Sequence, residues 1–485
     1  MPFHAFPSRL LTASRPPTIR LPHTRNPLLR SKKWFTNTCS AVHPAVPTLT
    51  RTSSSSNQFD VIVIGAGASG VTTAALLAEK GYSTLIVEAK ERIGGRASTR
   101  SVDGFLINTG ALVIEFDGAV SATYQALGLQ LNLHEPGRGA TVIRWGNRDI
   151  NVVEGIFGLL RNAGPRVLAI MLWSLPWLRP KKNESTRSWL SRFTHNSTIH
   201  DLADNVLGSI FAARGDVVLA EVFLYYFLKD TSFKKIGLPP GGTIEVWKPL
   251  ARHMQASGGQ VWLNSTVSKL LTEPDGSISG ALVKDGSGRE IKVFSKVIVS
   301  SIGPHGTALL AGTDVLPADY TETLQRWNKT AAILTIHFAS RKPLATFPCL
   351  AMFSKTRRLV YAGNFSAPEL NRCPKGWHLY SGASVPIPAI GSFDLEKEKS
   401  LLIQDLRVNF PGFDEAKILA IDVTADEWPA QRAVSGYDQP QTTPFPNLFN
   451  VGDGTKPWAS GGTAACSRSG QLVAELISKQ FALKM

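Results

Sequence analysis

Cysteine is scarce in this chain of 485 residues. The four present, Cys39, Cys349, Cys373 and Cys466, share no C-x-x-C or metal-ligand spacing. That excludes a zinc framework and a disulfide-stapled small domain, and no metal site is expected. No apolar run reaches the roughly 20 residues that span a bilayer. No internal repeat is evident. Acidic residues are missing from the first 59 positions, which hold eight Lys and Arg and therefore contribute +8 of the net +15. The stretch is rich in arginine, Ser, Thr and Pro and ends in "RTSSSSNQ". Residues 1–57 are therefore expected to be an organelle targeting segment, mitochondrial first and plastid as the alternative. A basic disordered tail is the plainer reading. With that segment set aside, the charge is not read as nucleic-acid binding, and no zinc-finger or aromatic-basic RNA motif is found. The rest is ordinary for globular protein, 43% hydrophobic and 18% charged, and long enough for two domains.

The stretch "FDVIVIGAGASGVTTAALLAEKGYSTLIVEAKERIGGR", Phe59 to Arg96, carries the first chemical signal. Val61–Ile64 is the apolar run of a strand buried on both faces. Gly65, Gly67 and Gly70 follow as G-x-G-x-x-G. Ala68 opens a helix that stops at Gly81. Thr84–Val87 reads as a second strand, and Glu88 closes it 18 residues after Gly70. Gly65 permits the turn, Gly67 lets backbone approach a pyrophosphate, and Gly70 lets helix pack on strand. The helix N-terminus then offers free N–H groups to phosphate. A carboxylate at Glu88 accepts from an adenosine ribose and repels a 2′-phosphate. The alternative is a tight strand-to-helix turn with no ligand.

The extension "ERIGGR" selects FAD over NAD. Gly94 and Gly95 allow a second close approach, and Arg96 supplies a cation for the pyrophosphate or the flavin. Here the sequence resembles the large FAD superfamily that contains amine oxidases, phytoene desaturases and protoporphyrinogen oxidases. A matching half lies at the far end, "PNLFNVGDGTKPWASGGTAACSRSGQLVAELI". The resemblance implies that Asp453 of its Gly-Asp serves the ribityl or pyrophosphate end of FAD. A helix from Gly462 and Thr463 would aim its N-terminus at the flavin pyrimidine edge, favouring a reduced, negatively charged flavin. The entry "GLPPGG" and the "SSIGP" after Val297–Ser301 place the resemblance nearest the phytoene-desaturase-like branch. Two departures stand out. "GTKPWASGG" replaces the His-Pro-Gly element of such desaturases, and Asn108 stands where related sequences often carry an acid. Cys373 does not resemble the covalent-flavin motif of amine oxidases, so FAD is expected to be non-covalent.

The expected fold is α/β: a discontinuous Rossmann-type FAD-binding domain with an inserted mixed α+β substrate domain. The first is expected from 58–150, 236–312 and 441–485, the second from 151–235 and 313–440. No second G-x-G-x-x-G follows a strand, so electrons are expected to leave to O2 or a quinone rather than to a bound nicotinamide. The stretch 161–182 holds an apolar core, Val167–Leu178, bracketed by cations. It suits peripheral membrane contact, or a buried helix with a basic end. Tyr225, Tyr226 and Phe227 are candidates for a substrate wall or simple packing. For chemistry, hydride transfer to flavin N5 needs no protein nucleophile. Lys456 and Trp458, in the loop after Asp453, are the candidates for contact with the flavin; a surface lysine is the bland alternative. His305 reads as structural. The expected activity is that of a FAD-dependent oxidoreductase, desaturase- or isomerase-like, on a small hydrophobic substrate, a polyene or other lipid-soluble molecule. The rivals are an amine oxidase using O2 and a non-catalytic FAD-bound interaction protein.

Overall fold

A computed structural model describes residues 57–483, except 138–140, 147, 152–166, 168–170, 172–173 and 230–235. The basic segment 1–57, save its last residue, and most of the stretch 161–173 thus lie outside the described residues.

The first sheet grows from the sequence signal just described. Strand β1 (Gln58–Ile64) runs into helix α1 (Ala68–Glu79), and the chain returns as β2 (Thr84–Val87). β1 lies parallel to β2, with Val61 opposite Thr84 and Ile64 opposite Val87. Its other neighbour is the long strand β3 (Glu290–Ser300), also parallel, with Val61 opposite Val297 and Val63 opposite Val299. Strand β4 (Leu448–Asn450) pairs with the far side of β3. An antiparallel extension, Thr266–Thr272 and Ile278–Lys284, completes this seven-stranded sheet with Gln260–Trp262 on the opposite edge. The central strands are apolar at nearly every position because helices or loops cover both faces. Val61, Ile62, Val63, Ile298 and Val299 are fully buried.

Helix α2 (Gly462–Gln480) lies against α1. The approach is close because Gly470 has no side chain: a Cβ there would stand 2.8 Å from the Ser69 carbonyl oxygen. Gly70 does the same service between α1 and β1, where a Cβ would fall 2.1 Å from the Gly65 carbonyl oxygen. The two ends of the chain are therefore joined in one packed layer with Val71, Leu77, Val473 and Ile477 at its centre.

The second sheet also has seven strands. Its order is Lys417–Thr424, Ile333–Ser340, His378–Ser384, Leu359–Asn364, Leu350–Phe353, Thr141–Trp145 and Arg148–Asn151. This moves one expected boundary. Residues 141–150 are expected with the FAD stretch, yet Thr141–Arg144 pair with Leu350–Phe353 in the second sheet and Arg148–Asn151 pair back on Val142–Trp145. The hairpin around Gly146 is legible locally, but its partner lies some 200 residues on, which local patterning does not reveal. Helix Leu395–Asn409 covers this sheet through Leu402 and Leu406, packed with Phe338, Tyr380 and Phe410.

Among the described residues, no helix is long and apolar enough to cross a membrane. Of the apolar stretch Val167–Leu178, the described side chains Val167, Met171, Leu175 and Trp177 are all exposed, Trp177 by 61%. A buried helix is therefore not what these residues form.

Candidate functional site

A cavity of about 350 Å3 opens where the carboxyl ends of β1 and β3 meet the second sheet. This is the crevice outside the strand ends where open α/β sheets take their ligands. Gly65, Gly67, Ala68, Glu88, Gly94, Gly95, Arg96, Asp453, Gly462 and Thr463 all line it. Of the cofactor residues expected from sequence, only Gly70 stands back, holding α1 against the turn.

The glycines earn their places geometrically. Gly67 and Gly94 form a bridge, and the Gly94 N–H donates to the Ala66 carbonyl over 2.8 Å. The "ERIGGR" loop thus lies directly on the G-x-G-x-x-G turn. Gly94 and Gly95 have φ of +94° and +56°, and a Cβ on Gly95 would stand 3.3 Å from the Gly67 Cα. Ala68, Ser69 and Gly70, the first turn of α1, carry N–H groups with no acceptor inside the helix. Glu88 is buried and oriented before any ligand arrives. Its Oε2 accepts from the Ala66 N–H at 2.7 Å and its Oε1 from the Lys90 N–H at 2.9 Å. Each oxygen retains a lone pair for a further donor.

The charges sort differently from the sequence expectation. Arg96 does not present a free guanidinium. It clamps Asp453 through two bonds of 2.5 and 2.7 Å, and its Nη1 also donates to the carbonyls of Pro429 and Ala430. Asp453 takes a third bond from the Arg432 backbone N–H at 2.7 Å. Burial alone would raise the Asp453 carboxyl; Arg96, with Arg432 and Lys456, outweighs it and holds the group well below the usual carboxylate range. Two loops from opposite ends of the chain converge here, so the clamp was invisible to a linear reading.

Lys456 lines the cavity and is not the surface lysine of the alternative reading. It is 3% exposed. Its ammonium donates to Asp438 at 2.5 Å, to the Ala433 carbonyl at 2.7 Å and to the Asp453 carbonyl at 2.8 Å. All three protons are committed, so it braces the loop that carries Asp453. Trp458 does not line the cavity. It is 43% exposed, with its ring edge against Tyr225 at 5.0 Å. His305 is exposed. Asn108 is buried, and its Oδ1 accepts from the Thr99 hydroxyl and from the Thr243 N–H.

Three cavity residues were missed. Cys466, on the first turns of α2, lines the cavity, and burial pushes its thiol up to about 12. Arg432 lines it too. Tyr361 comes from the second sheet, and burial pushes its phenol up to about 12. None stands in a recognisable motif, and no sequence signal points to them. Cys373, by contrast, lines neither described cavity, and its thiol donates to the Trp377 carbonyl.

A side chamber of about 130 Å3 shares Ala111, Ser209, Ile210, Tyr361, Gly462 and Thr463 with the main cavity. Its remaining lining is mainly aliphatic, with Leu112, Val113, Ile236, Leu350 and Met352, besides Tyr226, Thr141 and Glu115. Tyr226 of the expected aromatic run reaches this wall; Tyr225 is at the surface, and nothing is described of the Phe227 side chain.

The residues present fit FAD. The cavity falls within the usual range for cofactor and ligand sites, and the glycine cradle, the acceptor at Glu88 and two helix N-termini line it. The sequence matches the flavin containing amine oxidoreductase family over residues 68–478. A 15-cis-phytoene desaturase of Solanum lycopersicum is 23% identical, over 88% of this chain and 78% of its own length. The flavin-containing amine oxidase A of Bos taurus is 24% identical, over 59% of this chain and 57% of its own. Among solved structures, an oxidoreductase from Methanosarcina mazei superposes with a TM-score of 0.74 at 24% identity, over 86% of this chain and all of that one. Putrescine oxidase bound to putrescine gives 0.64 at 16%, over 87% and 99%. At these identities the structural likeness speaks for the fold alone, whereas the family match spans most of the chain. The chain belongs to the flavin containing amine oxidoreductase family and is an FAD-dependent oxidoreductase.

Proposed function

We propose that this oxidoreductase removes hydride from a C–H bond of an apolar, lipid-soluble substrate, in a desaturase- or isomerase-like reaction. The observation that carries the reading is the largely apolar side chamber that adjoins the cofactor cavity and shares six lining residues with it. At about 130 Å3 it takes one end of a substrate, a group of about benzene size. Bound FAD supplies a hydride acceptor at flavin N5. The chain's own part is positioning and the exclusion of water. Leu112, Val113, Ile236 and Leu350 hold the apolar end, and Ser209, Ile210 and Tyr361 stand at the junction where the reacting carbon meets the cofactor. Tyr361 keeps its phenolic proton at neutral pH, so it orients by donating a hydrogen bond and does not act as a base. The Cys466 thiol likewise stays protonated, which supports non-covalent FAD. Electrons leave to O2 or a quinone. The deciding experiment is anaerobic mixing of the yellow protein with lipid extracts and with amines. Bleaching by lipid fractions supports the reading.

The second reading is an amine oxidase using O2. Glu115 favours it, as the one carboxylate among the described residues of the chamber wall. Amine-dependent bleaching with peroxide on admitting air would establish it.

We further infer peripheral membrane contact for the mature, organelle-targeted enzyme. Trp177, Leu175 and Met171 are exposed, and the exposed Arg179, Lys181 and Lys182 follow them. Aromatic and aliphatic side chains beside cations suit an anionic bilayer surface. Co-sedimentation with anionic vesicles, lost in Trp177→Ser, is the expected result; wild-type protein left in the supernatant contradicts it.

A further inference from the structure

The geometry points to Arg432, beside Arg96, as a second cation that meets the FAD diphosphate. The inference rests on FAD as the cofactor and adds a residue that no motif marks. Arg96 turns its Nη1 and one Nη2 proton to Asp453 and two carbonyls, which leaves it the Nε–H and a second Nη2–H toward the cavity it lines. Arg432 differs in having no carboxylate on its guanidinium. Its backbone N–H serves Asp453, but its guanidinium has no carboxylate or carbonyl partner among the described residues. Its Nε is buried without a hydrogen-bond partner. Burial first, and Arg96 second, push it down to about 10, with Asp453 opposing. A half-buried cation whose Nε has no partner is costly, and this one lines the cofactor cavity. The fold also makes room for it. Gly303, at φ +93°, lies under the side chain, where a Cβ would stand 2.4 Å from the Arg432 Cδ. A Cβ at Gly454 would stand 3.5 Å from the Arg432 Cβ.

Those two glycines fix the location. Gly303 lies two residues beyond Ser301. Ser301 touches the glycine turn, with its Oγ 2.8 Å from the Ser69 Oγ and its atoms against Gly65, Gly67 and Gly70. Gly452, just before Gly454, approaches the same Ser69. Arg432 and the first turn of α1 therefore flank one corner of the cavity. That corner is where a G-x-G-x-x-G turn places pyrophosphate. A guanidinium facing phosphate oxygens forms charge-assisted, often bidentate bonds.

The test uses the holoenzyme. Release of FAD on dilution, followed by its fluorescence, gives the affinity; added ADP competes for the diphosphate region; the flavin reduction potential reports the ring. Arg432→Gln is expected to weaken FAD about 10- to 100-fold. ADP should displace FAD through a site weakened by the same factor, and the potential should not move. Arg432→Lys, keeping the charge without the fork, should fall between. It carries the test if the Gln variant does not accumulate, and then FAD release within threefold of wild type overturns the inference. Unchanged release in Arg432→Gln overturns it, and so does a shifted potential with unchanged ADP competition, which would place the cation on the flavin ring. A colourless wild-type protein would instead sink FAD itself, so the two failures are distinguishable.

Discussion

The cofactor cavity and its side chamber share six residues and both are mostly apolar, yet they differ in how their polar groups are held. Around the cavity, polar groups are fixed in advance: Glu88 by two backbone N–H groups, Asp453 by Arg96, Lys456 by Asp438. A ligand of invariant shape and charge can be met by such preorganised donors and acceptors. Beyond the shared residues, the chamber is lined mainly by Leu112, Val113, Ile236, Leu350 and Met352, with Tyr226, Thr141 and Glu115 as its polar groups. It selects by size and by exclusion of water, and methylene-level discrimination is all that apolar walls readily supply. The difference teaches where function is fixed in this chain. On the proposed function, the cofactor is held by directed bonds and the substrate by space.

The largest effect expected from breaking this contrast lies at Lys456. If it braces the cavity loop, Lys456→Met leaves Asp438 buried without its partner and should cost about 3–5 kcal/mol of stability, read in a thermal melt. A variant that melts like wild type but no longer turns over would return Lys456 to chemistry. Glu88→Ala comes next. It removes the ribose acceptor and frees the Ala66 N–H, and FAD should be held about 1.5–3 kcal/mol more weakly; Glu88→Gln, which keeps one acceptor oxygen, should lose less. Retention of FAD at wild-type strength in the Ala variant would end that assignment. Ile210→Phe sharpens the other side of the comparison. It narrows the junction of the two spaces, so flavin reduction by substrate should slow at least about tenfold, near 1.4 kcal/mol, while the flavin spectrum and FAD affinity stay put. Ile210 lines both spaces, so loss of FAD instead would mean that its contact with the cofactor outweighs its place at the junction.

The smallest effect concerns pH. His337 is fully buried in the second sheet, with its Nδ1 2.7 Å from the Ser381 Oγ. Asp422 stands 3.6 Å from its Nε2 and is held by Arg100 at 2.6 Å; Arg372 is the remaining charged group facing it. Burial, the larger effect, pushes the imidazole below its ordinary 6.5 against the pull of Asp422. The unfolded chain therefore binds this proton more readily than the folded one. Stability should be complete above 6.5 and decline as pH falls from 6.5 toward the lower folded value. His337→Gln should flatten that limb of a melting-temperature profile; an unaltered slope would assign the acid sensitivity to other groups.

The cradle was legible because each element is encoded within about forty residues. A buried strand, three glycines, a helix, a second strand and Glu88 follow one another in sequence, and local physics specifies each. Gly462 and Thr463 were legible for the same reason, at the start of a helix. What escaped is what convergence creates. Arg96 looked free because Asp453 lies 357 positions away. Lys456 looked exposed because Asp438 and the Ala433 carbonyl that bury it come from an irregular loop. The strand Thr141–Trp145 was placed in the wrong layer because its partner is Leu350–Phe353. The chamber was unreadable throughout, since aliphatic residues from scattered elements line it and no spacing announces a void.

One measurement tests the central claim most directly. The purified holoenzyme, made anaerobic, is titrated with lipid-soluble C–H donors from membrane extracts and, in parallel, with primary and secondary amines, and the visible flavin band is followed. The account predicts bleaching by a lipid fraction, recovery on adding O2 or a quinone, and no response to amines. Bleaching by amines with peroxide formed on reoxidation, together with silence toward every lipid fraction, would contradict it.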